Sequence, residues 1–298
     1  MNIALITSKK WYMRSRGDIS LKEALLQAGI HAQICNWEDD VLWEDFDLLI
    51  LCSPWDYYDH FTDFQNWLTD LKARGVSVAN GVDAIQSNID KVCQIENLSG
   101  SPVPFVPSRI CHSTQQAYMM CMEMGQPQVV LKPTKSASGH NTFALHCGQD
   151  GFQKKLQAIA ENILEAGADI IVQPFIHSIN DGEYSLVYFH GQFSHGVIRY
   201  PGVLGKKKEA VPVRMIEPKW LNAGNAVCSF LQADKLLYCR MDMIEYNNQI
   251  EIMEIEIAEP DLYLNLDYGE TVSPRERFVQ EIVREVFRNE NGCICGGK

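Results

Sequence analysis

No stretch of this 298-residue chain approaches the ~20 consecutive apolar residues that a bilayer-crossing helix needs, so no membrane partner is expected. Positive charge is scarce. Twenty-six Lys and Arg stand against 38 Asp and Glu, a formal charge of −12. A surface of that sign repels nucleic acid and anionic lipid alike, so nucleic acid is not expected as a partner either. Paired cysteine motifs are missing too. The ten cysteines are scattered without a C-x-x-C pair, which argues against a zinc site or a disulfide framework and fits a reducing cytoplasm. Only Cys293 and Cys295 are close, and "GCICGGK" reads as a frayed tail, with a metal site as the other reading. Neither G-x-x-x-x-G-K-[ST] nor a G-x-G-x-x-G after a strand occurs, so the two best-known nucleotide loops are excluded. A charged-then-apolar secretory leader is absent as well, and "MNIALITSKKW" reads as a first strand.

What is present is the length and composition for two or three packed units: 46% of residues are hydrophobic and 21% charged, as in ordinary soluble proteins. The first 90 residues alternate strand and helix. "IALITS", "HAQICNW", "FDLLILCS" and "VSVAN" read as strands. Leu21, Ala24, Leu25 and Ala28 mark one helix, and Phe61, Phe64, Leu68 and Leu71 another. That order implies a small parallel sheet flanked by helices. From about residue 102 the pattern changes. A proline-rich connector, "SPVPFVPS", precedes a strand, a helix from Thr114 and the strand "QVVLKP". A helix over 151–166, the strand "IIVQPFI", two strands around His190-Gly191, a helix near 219–232 and a hairpin at 236–258 follow. Ser273 and Glu276 form a capping box, with Pro274 opening the last helix.

The hairpin is unusually acidic. Glu251, Glu254, Glu256 and Glu259 crowd nine residues that otherwise read as a buried strand. Residues two apart on a strand share a face, so Glu254 and Glu256 point one way and Glu251 and Glu259 the other. Arg240 and Asp242 share a face of the preceding strand. With a three-residue turn (Asn247, Asn248 and Gln249), Asp242 lies across from Glu254 and Arg240 across from Glu256. A two-residue turn, or one bulge, would reverse that parity. Three carboxylates with little basic sequence nearby repel one another unless cations neutralise them, and hard ions such as Mg²⁺ or Mn²⁺ take such oxygen ligands. A charged, solvent-facing strand is the other reading.

Lys91 in "SNIDK" and Lys132 in "VVLKPTKSASGHN" supply cations. Lys132 precedes a loop with Ser136, Ser138 and Gly139, whose small side chains let backbone N–H groups approach a phosphate. The "GVLGKKKE" segment reads as a basic lid. Phe175 and Ile176, after "IIVQP", can offer a backbone donor and acceptor to an adenine edge, and Glu183 can reach ribose hydroxyls. Each piece alone also fits an ordinary strand, turn or solvated lysine.

Their succession is more specific: a Lys before a linker, "LKP" before a Ser/Gly loop, "VQPFI", "GEYSL", then R-x-D on one strand and E-x-E on its partner. It resembles the ATP-grasp superfamily, and within it the group of the D-cycloserine-forming cyclo-ligase and its glutathione-synthetase-like relatives. Further support comes from "SPWDYYDHFTDFQNWL", "YCRMD" and "MEIEIAEPDLYL", so the resemblance covers about residues 1–288. It implies an α/β chain of α+β lobes: a pre-ATP-grasp domain over 1–90, a lid lobe with its linker over 91–176, a metal-binding lobe over 177–290 and a tail over 291–298. Lys91 and Lys132 are implied to contact ATP phosphates, Gln173, Phe175 and Ile176 the adenine, and Glu183 the ribose. Asp242, Glu254 and Glu256 are implied to hold Mg²⁺ or Mn²⁺. Many relatives carry Asn at the last of these positions, where this chain has Glu256. Arg199 and Arg240 are implied to stabilise the transferring phosphoryl group. Ser53, Trp55, Asp56 and Tyr57, at the end of a parallel strand, are candidates for substrate recognition, with a structural Trp-Asp corner as the alternative. The implied activity is ADP-forming ligation of a carboxylate to an amine, between two small amino-acid-like molecules or within one. A small-molecule kinase and a non-catalytic ATP sensor are the alternatives, and a homodimer is compatible with the resemblance.

Overall fold

The computed structural model describes residues 1–137, 139–200 and 209–295, with side chains as far as residue 288. In chain order the elements are β1 (Asn2–Thr7), α1 (Arg16–Gln27), β2 (His31–Asn36), β3 (Leu48–Ser53), α2 (Phe61–Ala73), β4 (Val78–Ala79), α3 (Val82–Asn88) and α4 (Lys91–Asn97). Next come β5 (Arg109–Cys111), α5 (Thr114–Glu123), β6 (Gln128–Pro133), β7 (Phe143–His146), α6 (Phe152–Glu165) and β8 (Ile170–Pro174). The last are β9 (Glu183–Phe189), β10 (Gln192–Tyr200), β11 (Glu209–Pro212), α7 (Pro218–Leu231), β12 (Cys239–Tyr246), β13 (Gln249–Glu256) and α8 (Pro274–Cys295).

The apolar runs of β1 and β3 are buried on both faces, which is why they do not alternate with polar residues. They lie at the centre of a parallel sheet ordered β2-β1-β3-β4. Ala4, Ile6, Leu49 and Leu51 meet Phe64, Leu68 and Leu71 of α2 on one face. Ile3, Leu5 and Ile50 meet Leu21 and Leu25 of α1 on the other, together with Phe278, Val279 and Ile282 of α8. The expected capping box starts α8: Glu276 N–H donates to Ser273 Oγ at 3.2 Å and Ser273 N–H to Glu276 Oε2 at 2.7 Å. The helix continues to Cys295, so its end occupies most of the stretch from 291 read as tail.

A second sheet, β5-β8-β6-β7, is antiparallel and packs on α5 and α6 through its own core of Val129, Leu131, Leu156, Ile163 and Val172. The third, β11-β10-β9-β12-β13, is also antiparallel. Leu186, Tyr188, Met241 and Met243 turn one of its faces to Trp220 and Val227 of α7. Alternation therefore sends Glu183, Ser185, Arg199, Arg240 and Asp242 to the opposite face, where the candidate site is built.

Strand β13 is a sheet edge closed by side chains and linker. Gln94 of α4 donates Nε2–H to Ile255 O at 2.7 Å, and its Oε1 accepts from Ile255 N–H at 3.2 Å. Asn88 does the same one step along, donating to Ile255 O at 2.8 Å and accepting from Ile257 N–H at 3.0 Å. Farther back, Ile252 pairs with the proline-rich linker at Pro104 and Val106. The amides stand in for a neighbouring strand and satisfy the edge, and they fix α4, with Lys91 at its start, beside the acidic strand.

Candidate active site

The acidic hairpin reaches the expected pairing by an unexpected route. Its turn has two residues, Asn247 and Asn248, both at positive φ (51° and 62°), a conformation Asn tolerates. That turn alone would set Met253 opposite Asp242 and send Glu254 and Glu256 to the other face. A bulge between Ile252 and Glu254 takes up Met253 as one extra residue and restores the parity: Asp242 pairs with Glu254 and Arg240 with Glu256. The expected three-residue turn does not form, and two departures from it cancel.

One carboxylate oxygen from each of Asp242, Glu254 and Glu256 lies within 4.8 Å of the other two. Two oxygens on one Mg²⁺ at ~2.1 Å are at most ~4.2 Å apart, so this cluster is a donor set of suitable chemistry and near-suitable spacing for a hard divalent ion. The expected scarcity of nearby basic groups does not hold. Arg240 forks onto Asp242 through Nε (3.0 Å) and Nη2 (2.9 Å) and reaches Glu256 Oε1 at 2.5 Å. Arg199 Nη2 bridges Glu183 Oε2 (2.7 Å) and Asp242 Oδ2 (2.5 Å). Lys91 is ion-paired with Glu254. Arg240 is where the hairpin pairing puts it; Lys91 of α4 and Arg199 of β10 are distant in sequence and reach the carboxylates only through the fold.

Burial works against the charge on Asp242, yet Arg199, Arg240 and the Ser185 hydroxyl (2.6 Å) hold it below the usual carboxylate range. Glu254 is held low in the same way by Lys91 and Lys132. At Glu256 burial wins over Arg240 and pushes the carboxyl up to about 8. Lys132 is half-buried and its pKa is lowered by burial. No hydrogen-bond or ion-pair partner engages its ammonium among the described residues.

The structure gives each of the other expected residues its own surroundings. Glu183 follows Gly182, whose φ of +112° and whose position, where a Cβ would lie 2.2 Å from Ile198, both demand glycine. Ile176 packs with Val106 and Ile244 on the same side of the sheet. Gln173 donates to Ser108 Oγ at 2.8 Å. Phe175 N–H is committed to Gln128 O at 3.0 Å, so of the two residues the expected backbone donor falls to Ile176. Ser136 is buried, and Gly139 adopts φ +74° in the loop. Ser138 and the basic segment over 201–208 lie outside the described residues.

The segment after β3 sits alongside. Ser53 Oγ bonds Asp18 and lies 2.8 Å from Thr7 Oγ1. Asp56 accepts from Ser8, Trp55 Nε1–H donates to Glu259 O at 2.9 Å, and Tyr57 is buried, its phenol pushed up by burial and by the nearby Glu259 charge. Two residues of this region are not anticipated by the sequence. Alternation directs Glu259 away from Glu254, but it follows the end of β13, where alternation no longer applies. It is buried beside Lys91 and Glu254, and burial pushes it up to about 7. Asp18, at the start of α1, caps the helix with Ser15 (2.6 Å), and its burial raises it to about 6. It lines a pocket with Cys52, Trp55, Asp261 and Tyr263. The Ser15-x-x-Asp18 capping spacing is legible in sequence; its placement beside Ser53 is not.

Comparison with known proteins follows the same division. Residues 99–262 match the family described as prokaryotic glutathione synthetase, ATP-grasp domain, which is more than half of the chain. The chain belongs to the ATP-grasp ligases. Residues 3–80 of this ligase match the N-terminal domain of D-cycloserine synthetase DcsG. The cycloserine biosynthesis protein DcsG of Streptomyces lavendulae is 23% identical over 84% of the ligase and 88% of its own length. A crystal structure of D-cycloserine synthetase DcsG superposes with a TM-score of 0.80 at 20% identity, covering 96% of this chain and 100% of that one. D-alanine–D-alanine ligase from Bacillus anthracis, complexed with ATP, gives a TM-score of 0.74 at 12% identity over 98% of this chain and 99% of that one. At these identities the structural likenesses establish the fold. Enzymes of this family form carbon–nitrogen bonds with release of ADP. Among the described residues no helix is long and apolar enough to cross a membrane.

Proposed function

We propose that this ligase activates the carboxylate of a small amino-acid-like substrate as an acyl phosphate and joins it to a nitrogen, between two molecules or by ring closure. The observation that carries the reading is a pairing of opposites: three convergent carboxylates on the third sheet and, close enough to hold Glu254 low, a half-buried ammonium, Lys132, with no hydrogen-bond or ion-pair partner among the described residues. An unpaired cation withdrawn from water is costly unless an anion completes it, and a triphosphate is such an anion.

In this reading Asp242, Glu254 and Glu256 hold Mg²⁺ or Mn²⁺, which when bound screens the charge of the phosphates. Lys91, Lys132, Ser136, Ser138 and Gly139 receive the phosphates, Gln173, Phe175 and Ile176 border the adenine, and Glu183 takes the ribose. With the Phe175 amide occupied, Ile176 supplies the backbone donor and the Phe175 carbonyl the acceptor for the base edge. Arg199 and Arg240 are fixed by carboxylates on one edge and stand ready to stabilise charge on the phosphoryl group as it moves. Ser53, Trp55, Asp56 and Tyr57 shape the substrate side. Asp18 and Asp261 add two carboxylates there, which favours a substrate bearing an amino or ureido group. A carboxylate is a poor acyl donor because its oxide leaving group is too basic. Phosphorylation corrects this, and enclosure keeps water from the intermediate.

Purified protein incubated with ATP, Mg²⁺ and a panel of amino acids, dipeptides, and ureido and hydroxylamino derivatives tests the proposal. The expected result is ADP and inorganic phosphate in equal amounts, with a product one water lighter than its reactants by mass spectrometry. Release of AMP and pyrophosphate overturns it. A stable phosphorylated product would instead make the protein a kinase.

A further inference from the structure

The Ser/Gly loop belongs to the lid lobe, yet its side chains are fastened to the N-terminal domain. The His140 imidazole stacks on the Tyr58 ring, with centroids 4.5 Å apart and planes 25° apart. The Lys135 ammonium lies 4.8 Å from the centre of the Phe61 ring and 3.4 Å from Gly167 O. Ala137 packs into the same cluster as Tyr58 and Phe61. The two lobes are otherwise separated here by a cleft of about 540 Å³, bordered by Asp59, Asp63 and Asn141. The ring contacts are therefore fixed points across a gap rather than part of a continuous interface.

Both ring contacts fall on one short segment, Tyr58 to Phe61. The residues just before it are those that sit beside the proposed substrate pocket: Trp55 bonds Glu259 O at 2.9 Å, Asp56 accepts from Ser8, and Tyr57 is buried against the core of the N-terminal sheet. Tyr57 turns inward, near the Glu259 charge, and Tyr58 turns outward to the loop. The segment thus touches the substrate side with one tyrosine and the phosphate loop with the next.

We propose that Tyr58 and His140 are positioning residues that clasp the Ser/Gly loop shut against the substrate-recognition segment, so that ordering of either favours ordering of the other. The coupling part of this inference rests on the function proposed above; the clasp itself does not. By reciprocity, if a bound nucleotide steadies the loop, it also steadies residues 53–58, and a ligand at residues 53–58 tightens the nucleotide by the same factor. Aromatic pairs of this kind are worth enough to change a local opening equilibrium by about three- to tenfold.

Amide hydrogen exchange on the full chain tests both parts, with Tyr58→Ala, His140→Ala and the conservative Tyr58→Phe. In nucleotide-free protein, the amides of residues 139–142 are expected to exchange about three- to tenfold faster in Y58A and H140A, and at the wild-type rate in Y58F. Exchange in the second sheet should be unchanged. Equal rates in all four proteins overturn the clasp. His140 is exposed, so H140A keeps the test valid even if Y58A fails to fold. With the non-hydrolysable analogue AMP-PNP and Mg²⁺, wild type should gain protection at 53–58 as well as at 139–142. H140A should bind the analogue about three- to tenfold more weakly and lose the protection at 53–58. Undiminished transmission in H140A overturns the coupling while leaving the nucleotide site standing. Absence of AMP-PNP binding by wild type overturns the proposed function and the coupling together, and the nucleotide-free rates still decide the clasp.

Discussion

Gln94 and Ile255 exchange two hydrogen bonds, side-chain amide to backbone carbonyl at 2.7 Å and backbone amide to side-chain oxygen at 3.2 Å, as two adjacent strands would. Through this pair a helix N-terminus bearing Lys91 is held in register with the strand bearing Glu254. The site is therefore assembled by a side chain imitating backbone, and the first prediction tests that imitation.

Gln94→Leu keeps the volume and removes both partners. Ile255 O retains Asn88, but Ile255 N–H is left buried and unpaired, which costs about 1–3 kcal/mol. Urea unfolding should show that loss as a lower midpoint with an unchanged slope. Gln94→Glu, which keeps the acceptor but turns a buried carboxylate oxygen toward Ile255 O, should lose at least as much at neutral pH.

Lys132 should behave oppositely for stability and for binding. Its ammonium is half-buried without a partner among the described residues, so Lys132→Met should leave the melting temperature unchanged or raise it. The same substitution should weaken MgATP binding at least tenfold, about 1.4 kcal/mol or more, by calorimetry. A parallel loss of stability and affinity would mean that the lysine is structural.

Asp18 titrates at about 6 in the fold, against an unfolded value near 3.8. Between those values the folded state binds more protons than the unfolded chain. Stability attributable to this group is therefore full below about pH 4, falls as pH rises to about 6, and stays lost above it. Asp18→Asn removes the penalty, so the variant should be more stable than wild type at pH 7–8, by up to about 3 kcal/mol. The difference should vanish toward about pH 4 in thermal melts across the series. If Asp18 contacts a substrate amine, the gain in stability should come with a raised KM.

Chelation should separate folding from turnover. Lys91, Arg199 and Arg240 are ion-paired with the three carboxylates, so folding is expected to proceed without a metal. EDTA should abolish ATP turnover while leaving the melting temperature within about 1 °C. Added Mg²⁺ or Mn²⁺ should restore the activity.

The strands and helices are legible because burial imposes its period directly on sequence: β1 and β3 as unbroken apolar runs, α2 as Phe61, Phe64, Leu68 and Leu71. The pairing of Asp242 with Glu254 is legible only in outcome. Two Asn at positive φ and an extra Met253 produce the same facing residues as the longer turn that the sequence suggests, and sequence carries no mark of the bulge. Asp18 and Glu259 escape notice for a different reason. Each lies at an element's end, where no period applies, and becomes part of the site only when α1 and β3, or β13 and Lys91, come together.

Helix α8 closes the face of the N-terminal sheet that α1 leaves partly bare, with Phe278 and Ile282 against Ile3 and Leu5. The ribosome makes that sheet well before its cover. During synthesis the first domain must wait with apolar surface uncovered for nearly the whole chain, whereas the second sheet, whose core comes entirely from its own residues, can finish as soon as it emerges. Removal of α8 should therefore harm the β2-β1-β3-β4 sheet more than the β5-β8-β6-β7 sheet.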